Sequence, residues 1–216
     1  MSVTGIEIIR AGRVLAAEGL TDAFGHVSVR DGPLVIITPA CPLGLLTGEH
    51  QLKTFSVDTG ELPSGVPKEA WIHLEIYRTR SDVTAICRAQ PPSTAAITAA
   101  RRVIRPLNGH GAFLGAEVPV FTPAQLARNR QLGGAVAAAL GDGPAVITRG
   151  SGAVTVSSTA GRAAALMAVL ERSARLNLEA AAAGDELWEL DSNELEHWQA
   201  AAPELLDRLW NYYVTK

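Results

Sequence analysis

Residues 145–156 read Ala145-Val146-Ile147-Thr148-Arg149-Gly150-Ser151-Gly152-Ala153-Val154-Thr155-Val156. Two short runs rich in β-branched residues flank a Gly-Ser-Gly turn, and this pattern predicts two strands joined as a hairpin. A second hairpin is predicted upstream, where Gly25–Arg30 alternates as a strand and Asp31-Gly32 leads into another strand. Segments with helical spacing separate these strands. We therefore expect an α/β fold, with helices covering both faces of a mixed sheet.

The composition indicates a compact globular protein and excludes several classes of function. The chain has 216 residues, of which 47% are hydrophobic and 19% charged, and its net charge is −3. This charge predicts no nucleic-acid partner. No apolar run has the length of a membrane span or of a signal-peptide core, and two cysteines are too few for a disulfide scaffold. A cytoplasmic protein with no membrane partner is the expectation.

The last part of the chain differs in composition from the rest. A long helix is predicted over about residues 160–182, and Gly184 ends it. Beyond it the sequence is rich in Glu, Asp and Trp, and Pro203 is expected to interrupt it. We predict one domain over residues 1–184 and a helical extension over 185–216, packed on the same domain or on a neighbouring subunit.

Five segments, in order and spacing, resemble the class II aldolase/adducin family: Thr21–Arg30, Lys68–Tyr77, Cys87–Pro92, Gly115–Phe121 and Arg149–Val154. The resemblance covers about residues 5–183. It implies an α/β/α sandwich around a mixed, mainly antiparallel sheet, and a homo-oligomer, with a tetramer favoured. The family includes sugar-phosphate aldolases, epimerases, dehydratases, aromatic-acid decarboxylases and the non-enzymatic adducin heads.

Three positions in these segments stand where catalytic members of the family have histidines that bind a divalent cation, usually Zn²⁺. Arg88, Gln90 and Ser151 occupy those places here. A guanidinium stays protonated and has no lone pair for a metal, and amide and hydroxyl oxygens are poor zinc ligands. The expectation is a degenerate, metal-independent site without a cofactor.

The resemblance gives a proton-transfer role to Glu69, which matches the family's catalytic glutamate. Arg88 would bind a carboxylate or stabilise an oxyanion in place of the metal, and we count it with Glu69 as catalytic. Gln90 and Ser151 would orient the substrate by hydrogen bonds. Together these residues predict a carbon–carbon lyase, of aldolase or decarboxylase type, for a small carboxylated or hydroxylated anion.

Further substrate-binding residues are predicted around this centre. His26 lies on a predicted strand and would face the cavity, and Arg149 would add positive charge beside Ser151. Lys68 stands in a segment that has small hydroxyl residues in the sugar-phosphate aldolases, so a carboxylate substrate is expected rather than a sugar phosphate. The resemblance also implies that a tyrosine near the C-terminus, Tyr212 or Tyr213, closes the pocket of a neighbouring subunit.

Two alternatives remain open from the residues. The first is a non-catalytic, adducin-like binding or interaction module built on an inactive site. The second is an enzyme with a relocated divalent metal, held by His26, Glu69 and His110.

Overall fold

The computed structural model describes residues 3–184 and 186–216. The boundaries predicted at residues 1 and 185 lie outside the described residues. The strands are β1 His26–Asp31, β2 Leu34–Ile37, β3 Lys53–Ser56, β4 Ala85–Ala89, β5 Val120–Phe121, β6 Ala145–Thr148 and β7 Gly152–Ser157. The helices are α1 Val3–Ala17, α2 Ala70–Thr79, α3 Pro92–Ala99, α4 Arg130–Leu140, α5 Ala160–Ala183 and α6 Ser192–Thr215.

These strands form one seven-stranded sheet in the order β3-β2-β1-β4-β7-β6-β5. All neighbours pair antiparallel except β5 and β6, which are parallel. The predicted hairpin joins β6 to β7, and Gly152 begins the second strand with a φ of +113°. A Cβ atom at Gly152 would lie 2.1 Å from the Ala89 carbonyl oxygen, so the two chain segments approach closely only with glycine there. The mixed, mainly antiparallel sheet expected from the sequence is confirmed.

Helices pack on both faces of the sheet and define two apolar cores. One core combines α1, α3, α5 and α6 with residues such as Val27 and Cys87. The other combines α2 and α4 with residues such as Ile86 and Val154. Because side chains alternate along a strand, the polar residues that point towards α2 come from alternate positions of β1 and β4. This second face carries the candidate site.

The C-terminal helix α6 packs against α5 of the same chain. Its start is capped by Asp191, whose carboxylate accepts backbone N–H bonds at 2.8 and 2.9 Å. Arg162 of α5 holds Asp207 of α6 through two bonds of 2.6 Å. The interruption predicted at Pro203 is wrong, since α6 continues through it. Pro203 is exposed, so the carbonyl that loses its helical bond can bind water instead.

No helix in the two described ranges is long and apolar enough to cross a membrane.

Candidate active site

A chain of buried polar side chains lies between the sheet and α2. Ser28 Oγ is 2.6 Å from His73 Nδ1 and 2.7 Å from the Tyr77 hydroxyl oxygen, and His73 Nε2 is 2.7 Å from His26 Nδ1. Alternation along β1 places His26 and Ser28 on one face, and a spacing of four residues places His73 and Tyr77 on one side of α2. The result is a continuous hydrogen-bonded chain that joins β1 to α2.

The imidazoles of His26 and His73 are neutral near pH 7. Burial, reinforced by the positive charge of Arg88, lowers the pKa of His73 to about 3. Burial, the neighbouring His73 and Arg88 lower the pKa of His26 well below its usual value. Burial also raises the pKa of Tyr77, so its hydroxyl stays protonated. These groups therefore act as hydrogen-bond donors and acceptors, with their charged forms strongly disfavoured.

Arg88 lies beside this chain as a buried cation with fixed partners. His26 and Arg88 are directly opposite each other on β1 and β4. Arg88 Nη2 donates to the Ser151 carbonyl at 2.6 Å and to Ser151 Oγ at 2.8 Å. With the Gln90 amide turned so that its nitrogen faces the acceptors Phe24 O and Thr21 Oγ1, its oxygen accepts from Arg88 Nη1. The structure therefore brings together Arg88, Gln90 and Ser151, three of the residues predicted from sequence to form the site.

The chemistry of these three side chains does not fit Zn²⁺. The guanidinium offers only donors, and its charge would repel a divalent cation next to it. The Ser151 hydroxyl and the Gln90 amide oxygen both accept from that guanidinium. Each available oxygen is therefore already engaged by a cation that the protein supplies itself.

Glu69 contributes a partly exposed carboxylate close to the buried cation. It is the residue immediately before α2, at the N-cap, and its side chain is 13% exposed. Its Oε1 atom accepts a bond of 3.1 Å from Arg128 Nε. Burial lowers the pKa of Arg88, and the charge of Glu69 acts in the opposite direction, which shows that the two groups are electrostatically coupled. Glu69 is therefore paired with Arg128 and acts electrostatically on Arg88.

Lys68 and Arg149 lie at the surface. Lys68 is exposed and immediately precedes Glu69. Arg149 Nε donates to the Thr122 carbonyl, and the residue lines an open groove of about 820 Å³ beside α3, together with Arg101. The structure thus places Arg149 at this groove, although it is close in sequence to Ser151.

The two C-terminal tyrosines have different environments. Tyr213 is buried, and its hydroxyl accepts a 2.8 Å bond from Arg172 of α5. Tyr212 is 55% exposed. Of the two, Tyr212 is the residue placed to contact another molecule, because Tyr213 is engaged within its own chain.

The structure does not assemble the relocated metal site. The His110 ring packs against the rings of Phe113 and Trp198, whereas His26 contacts His73 and Glu69 contacts Arg128. Within residues 3–184 and 186–216, no group of three His, Cys, Asp or Glu side chains is arranged to hold a metal ion. These positions count against the combination of His26, Glu69 and His110 as ligands.

Four polar residues of the site are absent from the set proposed from sequence: Ser28, His73, Tyr77 and Arg128. Strand alternation places Ser28 beside His26, and helical spacing aligns His73 and Tyr77 with Glu69, so these patterns carried a usable signal. Arg128 had no such signal, since it lies in an irregular segment that reaches Glu69 across 59 positions of sequence.

Comparison with known proteins agrees with this fold. Residues 6–178 match the family described as Class II Aldolase and Adducin N-terminal domain. The chain belongs to this family, and the resemblance inferred from its five segments is confirmed.

Two kinds of similar protein can be compared with the chain: decarboxylases similar in sequence and aldolases of known structure. The chain is 34% identical to a 3,4-dihydroxyphthalate decarboxylase of Rhodococcus jostii (strain RHA1), over 91% of this chain and 90% of the relative. It is also 34% identical to a protein of the same name from Arthrobacter keyseri, covering 87% of this chain and 83% of the relative. Among solved structures, an L-fuculose 1-phosphate aldolase superposes with a TM-score of 0.83 at 23% identity, covering 93% and 96% of the two chains. The L-fuculose-1-phosphate aldolase of Thermus thermophilus has a TM-score of 0.75 at 30% identity, with coverage of 84% and 97%.

Proposed function

We propose that this protein is a carbon–carbon lyase that removes a carboxylate, as CO₂, from a small dihydroxylated aromatic acid. The observation that carries the proposal is the buried Arg88 guanidinium beside the Glu69 carboxylate, in the face of the sheet that α2 covers. The relatives named 3,4-dihydroxyphthalate decarboxylase support the choice of reaction and of substrate class. A substrate of that kind carries two carboxylates and two hydroxyls on one ring.

Arg88 would supply the charge that holds the anionic substrate. Its two Nη atoms are fixed by Ser151 and Gln90, so the guanidinium plane is already oriented before a ligand arrives. A cation held in place by its neighbours loses little freedom on binding. In this proposal Arg88 anchors a carboxylate and stabilises negative charge as the reaction proceeds, without a resident zinc ion.

Glu69 would move the proton that decarboxylation requires. Its carboxylate accepts the proton of the ring hydroxyl next to the departing carboxylate, which makes the adjacent ring carbon basic. Glu69 then returns that proton to the ring carbon, the bond to the carboxylate breaks, and its electron pair restores the aromatic ring as CO₂ leaves. The phenolate finally takes up one proton from water, so that one proton is consumed for each CO₂ released.

The test is the release of CO₂ from 3,4-dihydroxyphthalate by the purified protein, with unsubstituted phthalate as the negative control substrate. Glu69→Gln should reduce kcat by roughly 10²- to 10⁴-fold, the usual contribution of a positioned general acid or base. Glu75→Gln is the matched control, because Glu75 is also an ion-paired carboxylate of the α2 region, with Arg130 at 3.2 Å. Equal activity of the two variants would disprove the role of Glu69.

One observation favours the second candidate, a module that binds a ligand without transforming it. Arg88 already donates to Ser151 and Gln90, and such contacts also stabilise a site that has lost its chemistry. The two candidates differ in turnover. A protein that binds hydroxylated phthalates stoichiometrically and releases no CO₂ would be the binding module.

We also propose that the chain acts in the cytoplasm as a homo-oligomer, with a tetramer favoured. Two large aromatic side chains of the C-terminal region support an interface there, since Trp188 is 93% exposed and Tyr212 is 55% exposed. Light scattering on the purified protein should give four times the chain mass of 22.7 kDa. A mass of one chain would contradict this part of the proposal.

A further inference from the structure

Two buried side-chain nitrogens of the site have no hydrogen-bond partner among residues 3–184 and 186–216. They are His26 Nε2 and Arg88 Nε. The two residues are 2% and 4% exposed, and they are directly opposite each other on β1 and β4. Buried polar atoms normally have partners, so two adjacent ones without partners indicate a place that a ligand atom fills.

The direction of the hydrogen bonds among Tyr77, Ser28, His73 and His26 determines whether His26 Nε2 carries a proton and can donate. If Tyr77 donates to Ser28, and Ser28 to His73 Nδ1, then His73 Nε2–H donates to His26 Nδ1, and the proton of His26 lies on Nε2. If His26 Nδ1–H donates to His73 instead, His73 Nδ1–H donates to Ser28, and one of the two hydroxyl hydrogens has no acceptor within the described part of the protein. His26 Nε2 is then an acceptor to which no group donates. The first direction leaves one fewer buried group unsatisfied. It therefore determines the tautomer of His26.

We propose that His26 Nε2–H and Arg88 Nε–H together bind one carboxylate oxygen of the substrate, and that the Ser28–His73–Tyr77 chain holds His26 in the required tautomer. The inference rests on the proposed function for the identity of the substrate. In it, His26 is a substrate-binding residue, while Ser28, His73 and Tyr77 are positioning residues. Both imidazoles are neutral, so His26 contributes a directed N–H group and Arg88 contributes the charge.

This arrangement selects for a carboxylate over a neutral oxygen. An ionised oxygen accepts from two converging donors more strongly than a hydroxyl does, and a hydroxyl would bring a hydrogen of its own. A phthalate has two neighbouring carboxylates. One can be held by His26 and Arg88, while the ring carbon that bears the other, and the hydroxyl next to it, lie within reach of Glu69. Ligands without a carboxylate should bind weakly at this position.

The first test needs no turnover and uses the wild-type protein. Nitrogen-15 labelling of its five histidines reports which ring nitrogen of each carries the proton, and the signals of His26 are assigned from their loss in His26→Gln. The expected result is a proton on Nε2 and a bare Nδ1. A proton on Nδ1 would overturn the proposal, because both donors are required.

The second test uses phthalate as the probe, since it has both carboxylates and no hydroxyl to activate the ring. Titration calorimetry should show binding to the wild type, weakened by roughly 10- to 100-fold in His26→Phe, the effect of losing one hydrogen bond to a charged group. Ser28→Ala should weaken binding less, and His26→Gln, which keeps an N–H donor, should lie closer to the wild type. His110→Phe is the control, because His110 packs against Phe113 and Trp198.

The outcomes separate this inference from the proposed reaction. Unchanged phthalate affinity in His26→Phe, or no phthalate binding by the wild type, overturns the inference even if CO₂ is released from the dihydroxylated substrate. Binding that depends on His26 without any CO₂ release supports the inference and disproves the proposed reaction.

Discussion

The protonation of His73 predicts how stability depends on pH. Its pKa is about 3 in the folded protein, against an ordinary value of 6.5, so below about pH 6.5 the unfolded chain binds a proton that the folded chain does not. Well above pH 6.5 His73 is neutral in both states and has no effect on the pH dependence of folding. As the pH falls from 6.5 towards 3, protonation of the unfolded chain progressively lowers the free energy of unfolding. Between pH 7 and pH 5 the free energy of unfolding should fall by about 2 kcal/mol from His73 alone. The lowered pKa of His26 acts in the same direction.

Urea denaturation at a fixed protein concentration, followed by tryptophan fluorescence, measures this difference at pH 7, 6 and 5. The comparison is between the wild type, His73→Gln and the exposed control His197→Gln. The wild type and His197→Gln should lose stability in parallel, and His73→Gln should lose about 2 kcal/mol less between pH 7 and pH 5. The same pH dependence in all three proteins would refute the claim that His73 is held neutral by burial.

Four substitutions test the packing of the site and of the domain around it. Tyr77→Phe removes the hydroxyl bonded to Ser28 and should lower the free energy of unfolding by about 1 kcal/mol in denaturant titrations. Gly152→Ala places a Cβ atom against backbone and should destabilise by about 3 kcal/mol or more, whereas Gly150→Ala, with its nearest atom at 3.7 Å, should lose only the cost of its positive φ, roughly 1–2 kcal/mol. Arg162→Ala breaks a half-exposed ion pair and should change the free energy of unfolding little, by about 1 kcal/mol or less.

The sheet was predictable because its signals are local. Alternation in β1, the Asp31-Gly32 turn and the Gly-Ser-Gly turn each report the backbone geometry of a few neighbouring residues. From sequence alone, Pro123 is expected to open a helix that runs to about Leu140. That start is wrong, since α4 begins at Arg130, after Asn129, whose side chain accepts from Leu132 N at 2.9 Å. Proline is compatible with a first helical turn but does not require one, so the pattern could not exclude an irregular segment.

That irregular segment explains part of what the sequence could not predict about the site. Residues 123–129 are not helical, and this segment places Arg128 within reach of Glu69. The hydrogen bonds that link His26, His73, Ser28 and Tyr77 depend in the same way on how α2 is positioned over β1. The bonds from Ser28 join residues that are 45 and 49 positions apart in sequence. Local patterns state which face a residue occupies, but the partner across the interface is determined by packing of the whole domain.

The proposed role of the buried Arg88 cation is to hold the carboxylate of the substrate. Its most direct test is kcat/KM for CO₂ release from 3,4-dihydroxyphthalate by Arg88→Met, measured beside Arg128→Met as a control that also removes a cation next to Glu69. We predict a loss of roughly 10²-fold or more for Arg88→Met, because a desolvated charge–carboxylate contact is lost, and a clearly smaller loss for Arg128→Met. Wild-type kcat/KM in a correctly folded Arg88→Met protein would show that Arg88 does not hold the substrate carboxylate.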